Sequence, residues 1–376
     1  MTVLENNRTE PFIATYLHQK GARLGLPISG TFELTSRCNF SCPMCYVHSC
    51  KENEKAKKDE LSAKSWISLA QEAKKEGMMF ALLTGGEPFV REDFFEIYNA
   101  MKNMGLMISI NSNGSLLYDE NLEKLLENPP FRINISLYGA KAETYINMCK
   151  VNALDKVRES ILSLKKAGVD VRLNLSLTPW NMQDIEEIYE FSKNEGLHIK
   201  CNTYMYPPLR KNGVFCEDER FTPEKAAEYA LLWDKLRLTE EQFESRLDRI
   251  LELCPDIEDT CSVEVDEGIR CRAGRSSFWI AADGTMFPCG MMAFPCALPL
   301  ESGFKPAWEY IKEQSRVLSE PMKCRTCPKR MICNHCAAVC VTETGTFDKV
   351  PEYMCMYSDE LLNRAKMLKK GGYCGD

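Results

Sequence analysis

Three cysteines stand within eight residues, in the run Cys38–Asn39–Phe40–Ser41–Cys42–Pro43–Met44–Cys45, directly after the apolar stretch Phe32–Glu33–Leu34–Thr35. No other part of the chain constrains the fold as much, because an extended run has to end where its loop can gather three sulfurs around one centre. Thiolates are soft ligands that favour iron–sulfur clusters and zinc. Three in one loop can hold three corners of a cube-shaped four-iron cluster and leave the fourth iron open to a substrate. A structural zinc site wants a fourth close ligand, and His48 and Cys50 stand near enough to be considered. A set of buried core cysteines is the third reading.

Composition bears on the same choice. The chain has 19 cysteines and only 4 histidines. In a secreted protein that count suggests disulfides, and in a cytoplasmic one it suggests metal. The start, Met1 to Pro11, is polar and carries no apolar signal core. No run approaches the ~18–20 apolar residues needed to span a bilayer. The expected location is therefore cytoplasmic, with no membrane partner, and an open cluster calls for an anaerobic or well-reduced cytoplasm. A net charge of −7 argues against a nucleic-acid partner bound through phosphates. At 376 residues, 44% of them apolar, the chain is long enough for two domains with sizeable cores.

Taken in order, residues 1–27 read as a helical lead-in, with Ile13, Tyr16, Leu17 and Lys20 at roughly helical spacing. This segment is too short for a separate leader-peptide-binding domain. From Gly30 to about Tyr206, apolar runs alternate with helical patterns. The expected strands are Thr31–Thr35, Met78–Thr84, Met107–Asn111, Arg132–Leu137, Val169–Leu177 and His198–Tyr204. The expected helices include Leu61–Gly77 with Ser62 as N-cap, Asp93–Met104, Asn121–Leu126, Leu154–Ala167 and Gln183–Asn194. Such units imply an α/β fold with parallel strands and right-handed crossovers, either doubly wound or a barrel. Residues 28–207 are the expected barrel, 208–253 a helical linker and 254–376 a cysteine-rich domain.

The spacing C-x3-C-x2-C after a first strand resembles the radical S-adenosylmethionine (SAM) superfamily. The segment Thr84–Gly85–Gly86–Glu87–Pro88, closing the apolar run Phe80–Leu83, resembles the family's GGEP motif, which lies beside the amino group of SAM. The resemblance implies a partial (β/α)6 TIM-like barrel, with chemistry at the carboxyl ends of the strands. It implies a SAM-binding four-iron cluster on Cys38, Cys42 and Cys45, and SAM contacts from Gly85, Gly86, Glu87 and Pro88. Asn113, before Gly114, resembles the strand-three turn near the ribose, with a plain turn as the alternative. Ser136 matches a ribose-binding serine. Tyr138 stands where relatives often carry Asp, and is free to reach the substrate instead. Arg172 and Asn174 alternate along strand five and share a face. That face is either the interior, near the SAM carboxylate or methionyl tail, or a polar surface under helices. One departure is Met44, where an aromatic residue usually precedes the third cysteine; Tyr46 follows it instead.

After Cys254 the composition changes. Cys271 is followed by an apolar strand, Ser277–Ala281, an Asp283–Gly284 hairpin turn and a return strand to Cys289. Then comes Cys324-x2-Cys327-x5-Cys333-x2-Cys336-x3-Cys340, and finally Cys355. This pattern resembles the SPASM extension of radical SAM enzymes, which holds two auxiliary four-iron clusters; four-thiolate zinc sites are the alternative. By analogy Cys271, Cys289, Cys336 and Cys340 make the first auxiliary cluster, and Cys324, Cys327, Cys333 and Cys355 the second. Cys336 and Cys340 replace a single family position, and on a helix they would share a face. Cys261 could replace one of the first set.

The resemblance implies reductive cleavage of SAM to a 5′-deoxyadenosyl radical that takes a hydrogen atom from a C–H bond, fed by an external low-potential donor such as flavodoxin or ferredoxin. SPASM relatives point to a ribosomal peptide or protein side chain as substrate, with a thioether or carbon–carbon crosslink as product; the short lead-in weighs against this unless a separate leader-binding protein is a partner. Sulfatase-maturing relatives carry Asp directly after the cysteine matching Cys289; here it is Gly290, which argues against that activity. The alternatives are oxidation of a small molecule or tetrapyrrole side chain, and a zinc-binding interaction module. No acid or base is assigned.

Overall fold

The computed structural model describes residues 12–46, 54–207, 220–254, 268–269 and 271–371. Six parallel strands run in chain order: β1 (Ser29–Glu33), β2 (Phe80–Thr84), β3 (Met107–Ser112), β4 (Arg132–Ser136), β5 (Val171–Ser176) and β6 (His198–Asn202). Each pairs with the next, and helices cross between them, among them Ala63–Lys75, Phe94–Asn103, Asp119–Glu127, Leu154–Lys166 and Ile185–Asn194. This is the partial (β/α)6 barrel. The boundaries lie within a few residues of the expected ones because the caps are where the sequence puts them: Ser62 accepts from the Ser65 N–H and starts Ala63–Lys75. The helix Ala142–Cys149, with Lys150 left-handed at its end, has no counterpart among the expected elements.

Residues alternate strictly between the two faces of the sheet. Phe32, Leu83, Ile108, Ile110, Ile133, Ile135, Leu173 and Leu175 are buried under the helices. The register sets Thr31, Leu82 and Ser109 side by side on the other, concave face, and likewise Ser136, Asn174 and Lys200. The strands thus carry an apolar side that supplies the core and a mostly polar side that lines the barrel.

Two further strands come from the carboxyl-terminal third. β7 (Ser277–Ile280) pairs in parallel with β1, and β8 (Met286–Phe287) pairs antiparallel with β7 across the expected hairpin. One eight-stranded sheet results, in the order β6-β5-β4-β3-β2-β1-β7-β8. β1 is therefore not an edge, which removes an open row of backbone donors and acceptors. Phe278 enters the barrel core edge-on to Phe32, with ring centres 5.8 Å apart.

The leading helix forms at Phe12–Leu24, but its inner face is not the apolar one read from spacing. Ala14, His18 and Gly21 are buried, whereas Ile13 and Tyr16 are 59% and 48% exposed. The reason is close approach: a Cβ on Gly21 would lie 2.2 Å from Ile28 Cγ1. Only small residues fit there, and His18 adds a 2.9 Å hydrogen bond between Nδ1 and Ser276 Oγ.

Candidate metal and cofactor sites

The cluster loop leaves β1 and is tied down on three sides. The Gly86 N–H donates to the Thr35 carbonyl at 2.8 Å, and the Glu87 N–H to the Arg37 carbonyl at 2.9 Å. A Cβ on Gly85 would meet Thr35 O at 2.4 Å, and one on Gly86 would meet Arg37 O at 2.3 Å. Both glycines are there because backbone packs directly on backbone. From below, Glu60 accepts from Thr35 Oγ1, from Arg37 Nε at 2.7 Å and from Arg91 Nη1 at 3.3 Å. From behind, the Ser41 N–H donates to the Cys149 carbonyl at 3.1 Å.

Glu87 is fully buried. Its carboxylate accepts from the Phe89 N–H at 3.2 Å, from Ser112 Oγ at 3.0 and 3.1 Å, and from the Asn113 N–H at 2.7 Å. Asn113 Nδ2 in turn reaches Asn39 Oδ1 at 2.8 Å and Cys38 Sγ at 3.7 Å. The structure thus brings Glu87, Asn113 and Cys38 into one network, while Pro88 is buried at the first position of a single 3-10 turn. Burial pushes the Glu87 carboxyl up to about 7, against the pull of those donors. Burial, followed by Glu87, pushes the Cys38 thiol up to about 12.

Ser136 stands at the carboxyl end of β4, hydrogen-bonded to Tyr138. Burial raises the Tyr138 phenol, with Cys42 next to it, so Tyr138 belongs to the cluster loop's surroundings. Arg172 is not brought there. It is on the concave face, but four residues below the end of β5, about 13 Å along the strand, and its Nε pairs with Asp170 at 3.4 Å. Asn174, register partner of Ser136, is closer to the rim.

In the carboxyl-terminal third, Cys324, Cys327, Cys333 and Cys355 line one cavity, together with Lys329, Arg330 and His335. Burial works to raise the Cys333 thiol, yet hydrogen bonds from His335 and Ser358 hold it below its ordinary value. Cys289 and Cys336 pack with Tyr206 around the small core of Ile269, Met292 and Val341, and Cys271 adds to the charges that raise the Tyr206 phenol after burial and Cys336. The helical argument for Cys336 and Cys340 is not met. Cys336 is extended, at φ −150° and ψ 173°, and caps the helix Ala337–Thr344 from outside. Cys340 is fully buried, and after burial its thiol is raised first by Cys324 and only then by Cys336. His48, Cys50, Cys261 and Cys374 lie outside the described residues. Among the described residues, no three His, Cys, Asp or Glu side chains converge closely enough to hold a single metal ion.

Sequence reasoning missed Glu60, Tyr206 and His335. His335 was within reach, as the one histidine inside the cysteine run. Glu60 and Tyr206 carry no signal of their own, because their partners are distant in sequence.

Residues 32–192 match the family model described as the radical SAM superfamily. These residues form a radical SAM domain. The AdoMet-dependent heme synthase of Methanosarcina barkeri is 27% identical over 348 residues, covering 87% of this chain and 95% of that protein. The fold is also that of native anSMEcpe with bound AdoMet (TM-score 0.68, 17% identity, 92% of this chain and 100% of that one). It is shared too by SuiB of Streptococcus suis bound to S-adenosylmethionine (TM-score 0.65, 17% identity, 92% and 83%). Both of these proteins have further been solved with peptides, Cp18Cys and the precursor SuiA respectively. In the radical SAM domain here, every expected SAM-site residue but Arg172 sits at the carboxyl ends of β2 to β4. No described helix is long and apolar enough to cross a membrane.

Proposed function

We propose that this chain cleaves SAM at a cluster held by Cys38, Cys42 and Cys45, and that residues 254–376 are a SPASM domain with two auxiliary clusters serving a two-electron oxidation of a peptide or protein side chain. The observation that carries the auxiliary-cluster reading is that Cys355 joins Cys324, Cys327 and Cys333 of the cysteine run on one cavity. An all-thiolate donor set of this kind suits a four-iron cluster, whose ligands stand apart around the metal–sulfide core. To the first cluster we assign Cys271, Cys289 and Cys336, with Cys340 or Cys261 as the fourth ligand; the packing of Cys289 and Cys336 beside Tyr206 supports this. When bound, cluster and SAM supply the electron and the 5′-deoxyadenosyl radical that removes a hydrogen atom from the substrate.

The chain's own part is positioning. Glu87 and Asn113 lock the strand-three turn to the cluster loop. The polar concave face, with Asn134, Ser136, Asn174 and Lys200, receives the rest of SAM and the substrate. The peptide reading is supported by fold neighbours solved with peptides, and it brings a leader-binding protein and a flavodoxin or ferredoxin as partners in a reduced cytoplasm. A second reading, oxidation of a tetrapyrrole side chain, is favoured by the near full-length likeness to a heme synthase.

Anaerobic reconstitution should give about three four-iron clusters per chain. Changing Cys38, Cys42 and Cys45 together to Ala should remove one and abolish SAM cleavage. Stoichiometric zinc without visible absorption would overturn the proposal. Deuterated candidate substrates then separate the two readings, because label appears in 5′-deoxyadenosine only from the molecule that loses the hydrogen atom.

A further inference from the structure

The concave face of the sheet changes character across its width. At their concave positions β4, β5 and β6 carry Arg132, Arg172, His198 and Lys200 among asparagines and serines, and no carboxylate. The chain as a whole has a net charge of −7, so a strip this free of acid runs against its composition. The two arginines are paired at the foot of the strands: Arg132 Nε meets Asp170 Oδ2 at 2.8 Å, and Arg172 Nε meets Asp170 Oδ1 at 3.4 Å. Lys200 is exposed, and among the described residues no carboxylate pairs with it. Nearby lysines do find acids: Lys193 meets Glu190 at 3.7 Å and Lys165 meets Glu195 at 2.9 Å. β6 is the outermost strand of the sheet, so Lys200 stands at the open side of the barrel. Its register partner is Asn174, whose own partner is Ser136. Two strand spacings, about 10 Å, separate Lys200 from Ser136. Beyond β6 the chain reaches Tyr206, packed beside Cys289 and Cys336. An ammonium at the mouth of a polar cavity, with no acid of its own, is a ready partner for a carboxylate through a charge-assisted hydrogen bond. The proposed function holds SAM at the cluster loop and the ends of β2 to β4, which leaves the substrate's anion for Lys200.

We propose that the substrate of this chain carries a carboxylate and that Lys200 binds it at the open side of the barrel. The inference rests on the proposed function and narrows its substrate to acidic members of either class. An acidic side chain of a peptide and an acid side chain of a tetrapyrrole supply the same group, and the test separates them. Lys200 is a binding and specificity residue; hydrogen abstraction takes place elsewhere on the molecule it holds.

The test uses the full chain, reconstituted anaerobically and saturated with SAM. It is titrated with a peptide rich in glutamate, the same peptide with glutamine in place of glutamate, a porphyrin with carboxylate side chains, and the neutral amide of that porphyrin. At least one charged probe should bind about tenfold tighter than its neutral twin, the effect of one charge-assisted hydrogen bond. Lys200→Gln should remove that preference, Lys200→Arg should keep most of it, and SAM affinity should change by much less than probe affinity. A preference confined to the peptide assigns the carboxylate to a peptide substrate, and one confined to the porphyrin assigns it to a tetrapyrrole. Twins that bind alike, or a preference that survives in Lys200→Gln, overturn the proposal and leave the lysine as a guard against strand addition at the sheet edge. An equal fall in SAM affinity also overturns it, by giving Lys200 to SAM. A wild-type chain that holds no cluster and cleaves no SAM overturns the proposed function and takes this inference with it, whereas intact SAM cleavage with indifferent probes overturns this inference alone.

Discussion

Glu87 is a motif residue whose carboxylate is already engaged inside the fold. The resemblance pointed to SAM, whereas the structure first commits its carboxylate to Phe89, Ser112 and Asn113. Glu87→Gln has to turn its amide towards one of these donors, which leaves a buried bond unmade at a cost of about 1–3 kcal/mol. SAM binding in a calorimetric titration should weaken while iron content holds; unchanged affinity would reduce Gly85–Pro88 to a turn. The metal-free chain adds a pH signature. The folded carboxyl keeps its proton up to about 7, while the unfolded one releases it near 4.5. The folded state therefore binds more protons across that window, and stability falls as pH rises through it. Thermal unfolding of metal-free Glu87→Gln should lack this slope. The identity of Glu87 was legible from four consecutive letters. Its hydrogen-bond partners were not, because Ser112 and Asn113 arrive from another strand.

At the scale of elements, alternation of apolar runs and caps was enough to place all six barrel strands and their crossovers. It failed for the leading helix, where the buried side is chosen by small residues. It failed too for Cys336, which a one-residue difference in helix start takes off the helix face. The hairpin β7–β8 was foreseen, but its pairing with β1 was not, since parallel neighbours need not be close in sequence. That pairing explains Gly290. The Trp279 ring lies over it, so a Cβ there would come 2.7 Å from Trp279 Cε2, and the indole Nε1 is held by Glu33 at 2.9 Å. Gly290→Asp should overpack this contact and lower stability by about 1–3 kcal/mol, read as a fall in the thermal midpoint. An unchanged midpoint would mean the indole swings aside freely.

For the whole molecule, the division into barrel and cysteine-rich end is a division of composition more than of structure. The sheet runs through both, and Trp308, from the helix Phe304–Val317, donates to the Gly25 carbonyl at 2.8 Å. A chain cut after Cys254 would uncover the outer edge of β1 from Ser29 to Phe32 and remove Phe278 from beside Phe32. It should elute as aggregates on size exclusion where the full chain does not; a well-behaved monomer would show that β7 is dispensable.

The join between β7 and β1 also sets an order of events during synthesis. The Trp279 indole and the Glu33 carboxylate are 246 residues apart, a stretch that a ribosome takes roughly 12–50 s to make at its usual pace. Throughout that interval the loop bearing Cys38, Cys42 and Cys45 leaves a strand whose outer neighbour does not yet exist. The strand that leads into this loop therefore gains its second neighbour only when the last third of the polypeptide has been made.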